Sequence, residues 1–205
     1  MIDINAAVLA EDATYRLLNG VVTPRAIAWV STLNEAGGVN LAPFSCFMYI
    51  SPSPPLVAIS IGGRHGAKDT LANAERVGEF TINSVHGPLA RPMVDSSRRY
   101  QAGVSEAEDL DIEVAPGCKV SVPRVAAALV SMECVVHQVV PIDDSHHHSL
   151  LIGRVVCFRV AEEVWTGDGL DMAKYRVLGR LGGRLYMRPG EIERIDPTPD
   201  GRFAS

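Results

Sequence analysis

Two short runs in this chain are apolar on both faces, and that restricts the architectures open to it. Residues 26–33 read AIAWVSTL; alternation along a strand puts Ile27, Trp29 and Ser31 on one side and Ala26, Ala28, Val30 and Thr32 on the other. Residues 56–61 read LVAISI, a continuous apolar run behind Pro52, Pro54 and Pro55, whose fixed φ values keep the approach extended. Strands without a wet face must be covered on both sides, which predicts a closed barrel rather than a half-solvated sheet. Between the runs, residues 34–38 (NEAGG) form a turn that joins the first run to residues 39–42 as an antiparallel hairpin.

The second run leads into GGRHGAKDTLANA, residues 62–74. Glycines let backbone amides approach a ligand, and a helix N-terminus presents unpaired N–H groups with partial positive charge. Lys68 adds a cation and Thr70 a hydroxyl, so these residues could converge on an anion such as phosphate. Asp69 repels an anion and is expected to turn away and complement the helix end. The same residues also read as an ordinary capped helix, because the spacing is neither a Walker loop nor a dinucleotide fingerprint.

PRAIAWVST (24–32), NLAPFS (40–45), PPLVAIS (54–60), KDT (68–70) and EFTIN (79–83) follow one another in an order and spacing that resembles the flavin reductase-like family of FMN-binding split-barrel proteins. That family includes flavin reductases and flavoredoxin, and the resemblance runs over residues 15–190. It implies a mainly β fold, an antiparallel Greek-key split barrel with a few flanking helices. It also implies FMN as cofactor, held by Arg25, Ser31, Thr32, Ala42, Pro43, Ser45, Lys68, Asp69, Thr70 and Asn83. At the first of these the chain has Pro24-Arg25 where the family has Arg-Pro. In HSLLIG, His148 occupies the position of a family histidine, which makes it the catalytic candidate, donating toward the reduced flavin or seating the nicotinamide. The RLGG segment at 180–183 is expected to approach the cofactor of a neighbouring subunit, and a homodimer is the expected assembly.

The 205 residues suffice for one domain, with no Pro/Gly/Ser-rich linker to divide them. The acids at the start, MIDINAAVLAEDATYR, and the lack of a long apolar run predict a cytoplasmic protein. A net charge of −5 argues against general attraction to nucleic acid or anionic membrane, so any phosphate binding must be local. Cys46, Cys118, Cys134 and Cys157 form no CxxC pair and read as reduced thiols, with Cys46 near the expected flavin.

A helix is expected over residues 13–19 with Gly20 as its stop, and another over 89–94. The polar stretch 84–117 that contains this helix carries Arg91, Arg98, Arg99 and Tyr100, candidates for a nicotinamide phosphate as well as for solvated charge. Residues 120–140 and 150–164 read as long strands that pair antiparallel, with Gly153 marking a bulge or a close backbone approach. Between them stand His146, His147 and His148 with Asp143 and Asp144; alternation allows at most two histidine ligands from this run, so a metal site is the third reading.

The leading function is an oxidoreductase moving reducing equivalents from NADH or NADPH through FMN to flavin or another acceptor. FMN is preferred over FAD because no second nucleotide motif accompanies the anion site. An FMN-binding electron carrier of the flavoredoxin type is the alternative, since fold and cofactor do not fix the acceptor.

Overall fold

The computed structural model describes residues 1–62, 69–101, 103–142 and 148–195. In chain order it places α1 (Glu11–Val21), β1 (Ala28–Leu33), β2 (Val39–Phe44), β3 (Phe47–Pro52), β4 (Pro55–Gly62), α2 (Asp69–Val77) and β5 (Glu79–Asn83). There follow α3 (Ala90–Asp95), α4 (Glu106–Asp109), β6 (Val114–Ala115), β7 (Arg124–Val125), β8 (Val130–Pro141), β9 (His148–Val160), β10 (Gly179–Arg180) and β11 (Tyr186–Met187). Among the described residues, seven strands form one sheet in the order β2-β1-β5-β8-β9-β4-β3. Every pairing in it is antiparallel. No helix of the described residues is long and apolar enough to cross a membrane.

The double-sided burial expected of residues 26–33 is realised by two separate cores. Ala28 and Val30 pack with Val57, Ile59, Phe80, Ile82 and Leu151 inside the barrel. Ile27 and Trp29 face the other way, into a second core with Leu41, Val85, Met93 and Leu178. Trp29 is fully buried and its indole Nε1 donates to Ser96 Oγ at 3.0 Å, the partner that a desolvated indole N–H requires. Truncating such a ring typically costs about 3–5 kcal/mol. Gly153 is a close-approach glycine: a Cβ there would lie 2.3 Å from Phe80 Cζ, so only hydrogen fits beneath that buried ring. The register also shifts opposite it, between Val136 and Gln138.

Two expectations are corrected. Residues 120–129 do not extend the strand that begins at Val130; they form a strap across the sheet, with only Arg124–Val125 paired, to β6. β8 already has β5 and β9 on its two sides, and the strap's backbone is bonded by side chains instead: Val122 O accepts from Thr81 Oγ1 and Pro123 O from Ser31 Oγ. The first helix also passes through Gly20 to Val21. Arg25 takes over the terminating role, because its Nη1 donates to the carbonyls of Asn19 and Val22 in the last turn.

Candidate functional site

The β1–β2 hairpin sets Thr32 directly opposite Asn40, and α2 lays Thr70 and Asn73, one turn apart, over that pair. Thr32 Oγ1 and Thr70 Oγ1 both donate to Asn40 Oδ1, each at 3.4 Å, and Asn73 Nδ2 donates to Thr32 Oγ1 at 3.2 Å. From the other side α4 inserts Glu106, whose Oε2 accepts from Asn40 Nδ2 and from the Leu41 backbone N–H, both at 2.9 Å. All five polar side chains are buried. Burial pushes the Glu106 carboxyl above the usual carboxylate range; the bonds from Leu41, its own backbone N–H and Asn40 oppose the rise, and the charge of Asp69 adds to it. Asp69 itself is exposed in the first turn of α2, where its charge complements the helix end.

β2 carries this cluster to a second locus. The bond from Asn34 N–H to Gly38 O sets the phase of the hairpin ladder, so Asn40, Ala42 and Phe44 bond toward β1 while Leu41 and Pro43 turn their backbone to the open edge. Leu41 satisfies its N–H on Glu106, and Pro43 has none to satisfy, as suits an edge strand. Beyond the strand, Ser45 and Pro43 line a cleft of about 220 Å³ with Asn19, Met93, Arg180 and Tyr186. From Asn40 to Ser45 the extended chain covers roughly 16 Å at about 3.3 Å per residue.

Arg25 stands behind this cleft with its donors committed inside the chain. Its Nε reaches Ser45 Oγ at 3.4 Å, its Nη2 donates to Asn19 Oδ1 at 2.8 Å and to Leu181 O at 2.9 Å, and its Nη1 holds the end of α1. It therefore positions Ser45, α1 and the 180–183 segment. That segment is fastened to Arg25 by two backbone bonds and is folded as the β10–β11 turn, with the Arg180 guanidinium 4.4 Å from the Tyr186 ring centre. In this chain it forms part of the cleft's own wall.

Ser31 and Asn83 lie apart from both loci, on the face of the sheet that carries the strap. Ser31 Oγ donates to Pro123 O at 2.7 Å and accepts from Asn83 Nδ2 at 3.1 Å. Asn83 Nδ2 also donates to Trp29 O at 3.0 Å, while its Oδ1 accepts from Val125 N–H at 2.9 Å and Ser131 Oγ at 3.0 Å. Both residues are wholly inaccessible, and their polar atoms bind strands and strap together. His148 opens β9 opposite Gly62, the last residue of β4; its ring lies so close over Gly62 that a Cβ there would sit 2.0 Å from Cδ2. Lys68, His146, His147, Asp143 and Asp144 lie outside the described residues. Among the described residues no group of three or more His, Cys, Asp or Glu could hold a metal ion. Arg91 and Arg98 each pair with Asp95 at 2.7 Å, and Tyr100 donates to Asp109 at 3.1 Å.

Asn40, Asn73 and Glu106 were not singled out from the sequence. Asn40 opens the NLAPFS motif and Asn73 stands one helical turn after Thr70, so both had a local signal. Glu106 had none, because only the tertiary approach of α4 brings it to β2.

The mainly β antiparallel architecture is the split-barrel fold shared with solved flavin reductase and flavoredoxin structures. The chain belongs to the flavin reductase-like family, whose flavin reductase like domain profile matches residues 21–174. It is 31% identical to nitrilotriacetate monooxygenase component B from Bacillus cereus, covering 95% of this chain and 98% of that one with a TM-score of 0.91. It is 30% identical to the 2-nitrobenzoate 2-nitroreductase NbaA of Pseudomonas fluorescens, covering 97% and 98% with a TM-score of 0.89. Flavoredoxin of Desulfovibrio vulgaris shares the fold at 20% identity, with coverage of 98% and 99% and a TM-score of 0.76.

Proposed function

We propose that this protein binds FMN and acts as an oxidoreductase, taking reducing equivalents from NADH or NADPH and passing them through the flavin to free flavin or another small acceptor. The observation that carries this reading is the convergence of Thr32 and Thr70 on Asn40 beneath the tip of α2, joined by β2 to the Ser45 cleft. The two loci suit the two ends of FMN: hydroxyls and helix N–H groups for the phosphate, and small residues with backbone polar groups at an open edge for the ring. When bound, the flavin supplies two-electron hydride acceptance and single or paired electron release. In this chain Thr32, Thr70 and, by sequence, Lys68 would hold the phosphate. Ala42, Pro43 and Ser45 would bound the ring, Arg25 would fix Ser45 in place, and His148 is the proton-donor candidate.

The names of two relatives support a reductive role: the Bacillus cereus protein is a monooxygenase component and the Pseudomonas fluorescens protein a nitroreductase. Reconstitution with FMN should give a bound flavin spectrum, and anaerobic mixing with NADH and with NADPH should bleach it rapidly with one or both. No bound flavin after reconstitution would sink the proposal. Binding without bleaching would favour the second reading, an electron carrier that other proteins reduce.

The assembly we propose is a homodimer. α1 has no buried residue in the single chain, and Tyr15, Leu18, Met48 and Tyr49 are 58–72% exposed on α1 and β3. An eleven-residue helix gains its stability mainly from packing, so a second copy is the natural cover for these exposed apolar residues. A monomer in sedimentation at micromolar concentration would refute it.

A further inference from the structure

Two of the four cysteines are brought together by a buried carboxylate. Glu133 on β8 stands directly opposite Cys157 on β9, and directly opposed residues share a face of the sheet. Glu133 is inaccessible, and its two oxygens accept the backbone N–H groups of Cys118 at 2.8 Å and Lys119 at 2.6 Å, which pins the start of the strap over this pair. Cys118 is exposed and Cys157 is half-buried with its Sγ donating to Phe158 O at 3.7 Å, so the two cysteines flank Glu133 from the strap side and from β9. The other two cysteines stand apart. Cys134 is fully buried in the barrel core, and Cys46 is exposed after β2.

We propose that Cys118 and Cys157 form a peroxide-sensitive dithiol that closes to an intramolecular disulfide, a modification site at the end of β9 opposite His148. The exposed Cys118 reacts first: its thiolate attacks one peroxide oxygen, an S–O bond forms, the O–O bond breaks, and the departing oxygen is protonated to water or an alcohol. Cys157 sulfur then attacks the Cys118 sulfenic acid. An S–S bond forms, the S–O bond breaks, and the hydroxyl leaves as water with the Cys157 proton. Together the two thiols lose two electrons and two hydrogens, and the peroxide is reduced. Burial and the Glu133 charge push the Cys157 thiol up, which makes the exposed Cys118 the more reactive of the two. The closed bond fastens the strap, otherwise held through polar side chains, covalently to β9. This site is independent of the flavin reading.

The test uses the full chain carrying Cys46→Ser, treated with hydrogen peroxide, blocked with iodoacetamide and analysed by intact mass and peptide mapping. The expected product has lost two hydrogens, carries a Cys118–Cys157 cross-linked peptide within one chain, and recovers both alkylation sites after dithiothreitol. Adding Cys118→Ser, at an exposed position that leaves the fold measurable by circular dichroism, should abolish the link and leave Cys157 as alkylatable as in untreated protein. The proposal fails if Cys118 proceeds to sulfinic acid while Cys157 stays alkylatable. It also fails if both thiols remain reactive after peroxide, or if the cross-link joins two chains.

Discussion

Ser31 and Thr32 are neighbouring hydroxyls at the end of one strand, yet they belong to opposite kinds of polar cluster. Around Ser31 and Asn83 the bonds donated to Pro123 O and Trp29 O and those accepted from Val125 N–H and Ser131 Oγ are 2.7–3.0 Å long, every partner is neutral, and a backbone strap lies across the top. Around Thr32 and Thr70 the hydroxyl bonds to Asn40 are 3.4 Å, a carboxylate is buried alongside, and a helix tip stands above. A saturated neutral cluster has nothing left to offer a ligand; a slack one beneath a helix N-terminus can tighten on one.

Breaking the saturated cluster should give the largest effect on folding. Asn83→Ala leaves the Val125 N–H, Trp29 carbonyl, Ser31 and Ser131 short of partners, and at about 1–3 kcal/mol for a buried unsatisfied group the loss should reach about 3 kcal/mol in urea unfolding. A loss below about 1 kcal/mol would mean the cluster is not the fastening described.

The neighbouring pair sharpens the contrast. Ser31→Ala should lower stability by about 1–2 kcal/mol and leave FMN affinity nearly unchanged. Thr32→Val should lower stability by about 1 kcal/mol, since it removes the acceptor of the buried Asn73 Nδ2, while weakening FMN binding about tenfold, or about 1.4 kcal/mol. Flavin titration followed by fluorescence separates them; equal losses of affinity would erase the distinction between the two clusters. Thr70→Val should resemble Thr32→Val in the flavin titration.

The smallest effect concerns pH. Because the folded-state value of Glu106 is raised above its ordinary 4.5, the folded chain binds that proton more tightly than the unfolded chain. Its contribution is therefore fully present below the ordinary value and is lost as pH rises from there through the raised value. Glu106→Gln keeps an acceptor oxygen for Leu41 and Asn40 and should flatten that decline in a series of urea curves. An unchanged slope would show that Glu106 does not titrate in this window.

His86 gives the opposite sign elsewhere in the chain. Burial holds its imidazole below 6.5, against the pull of Glu163, so its unfolded form takes up a proton first and stability falls as pH drops through 6.5 toward the lowered folded value. His86→Phe should remove that acid-side loss in thermal melts.

Much of the fold was legible because periodicity reports burial. The two apolar runs became β1 and β4, NEAGG became the hairpin turn, and the motifs marked the family. The failures share a cause. Residues 120–129 have the composition of a strand, yet their Val122 and Pro123 carbonyls are taken by the Thr81 and Ser31 side chains and they cross the sheet as a strap, and composition carries no information about which partners a segment meets. Composition is equally silent on what surrounds Arg25, around which folding brings Asn19, Ser45 and Leu181.

By itself, then, the order of residues determined the local elements, the two-sided burial of β1 and the family, because each follows from neighbours in the chain and short repeats of hydropathy. The tertiary structure alone decided which hydroxyl faces a slack cluster and which a saturated one, and that Glu106 and Cys118 meet partners on distant strands. Hydrogen-bond satisfaction depends on distances and directions between segments, and those are set only when the sheet closes.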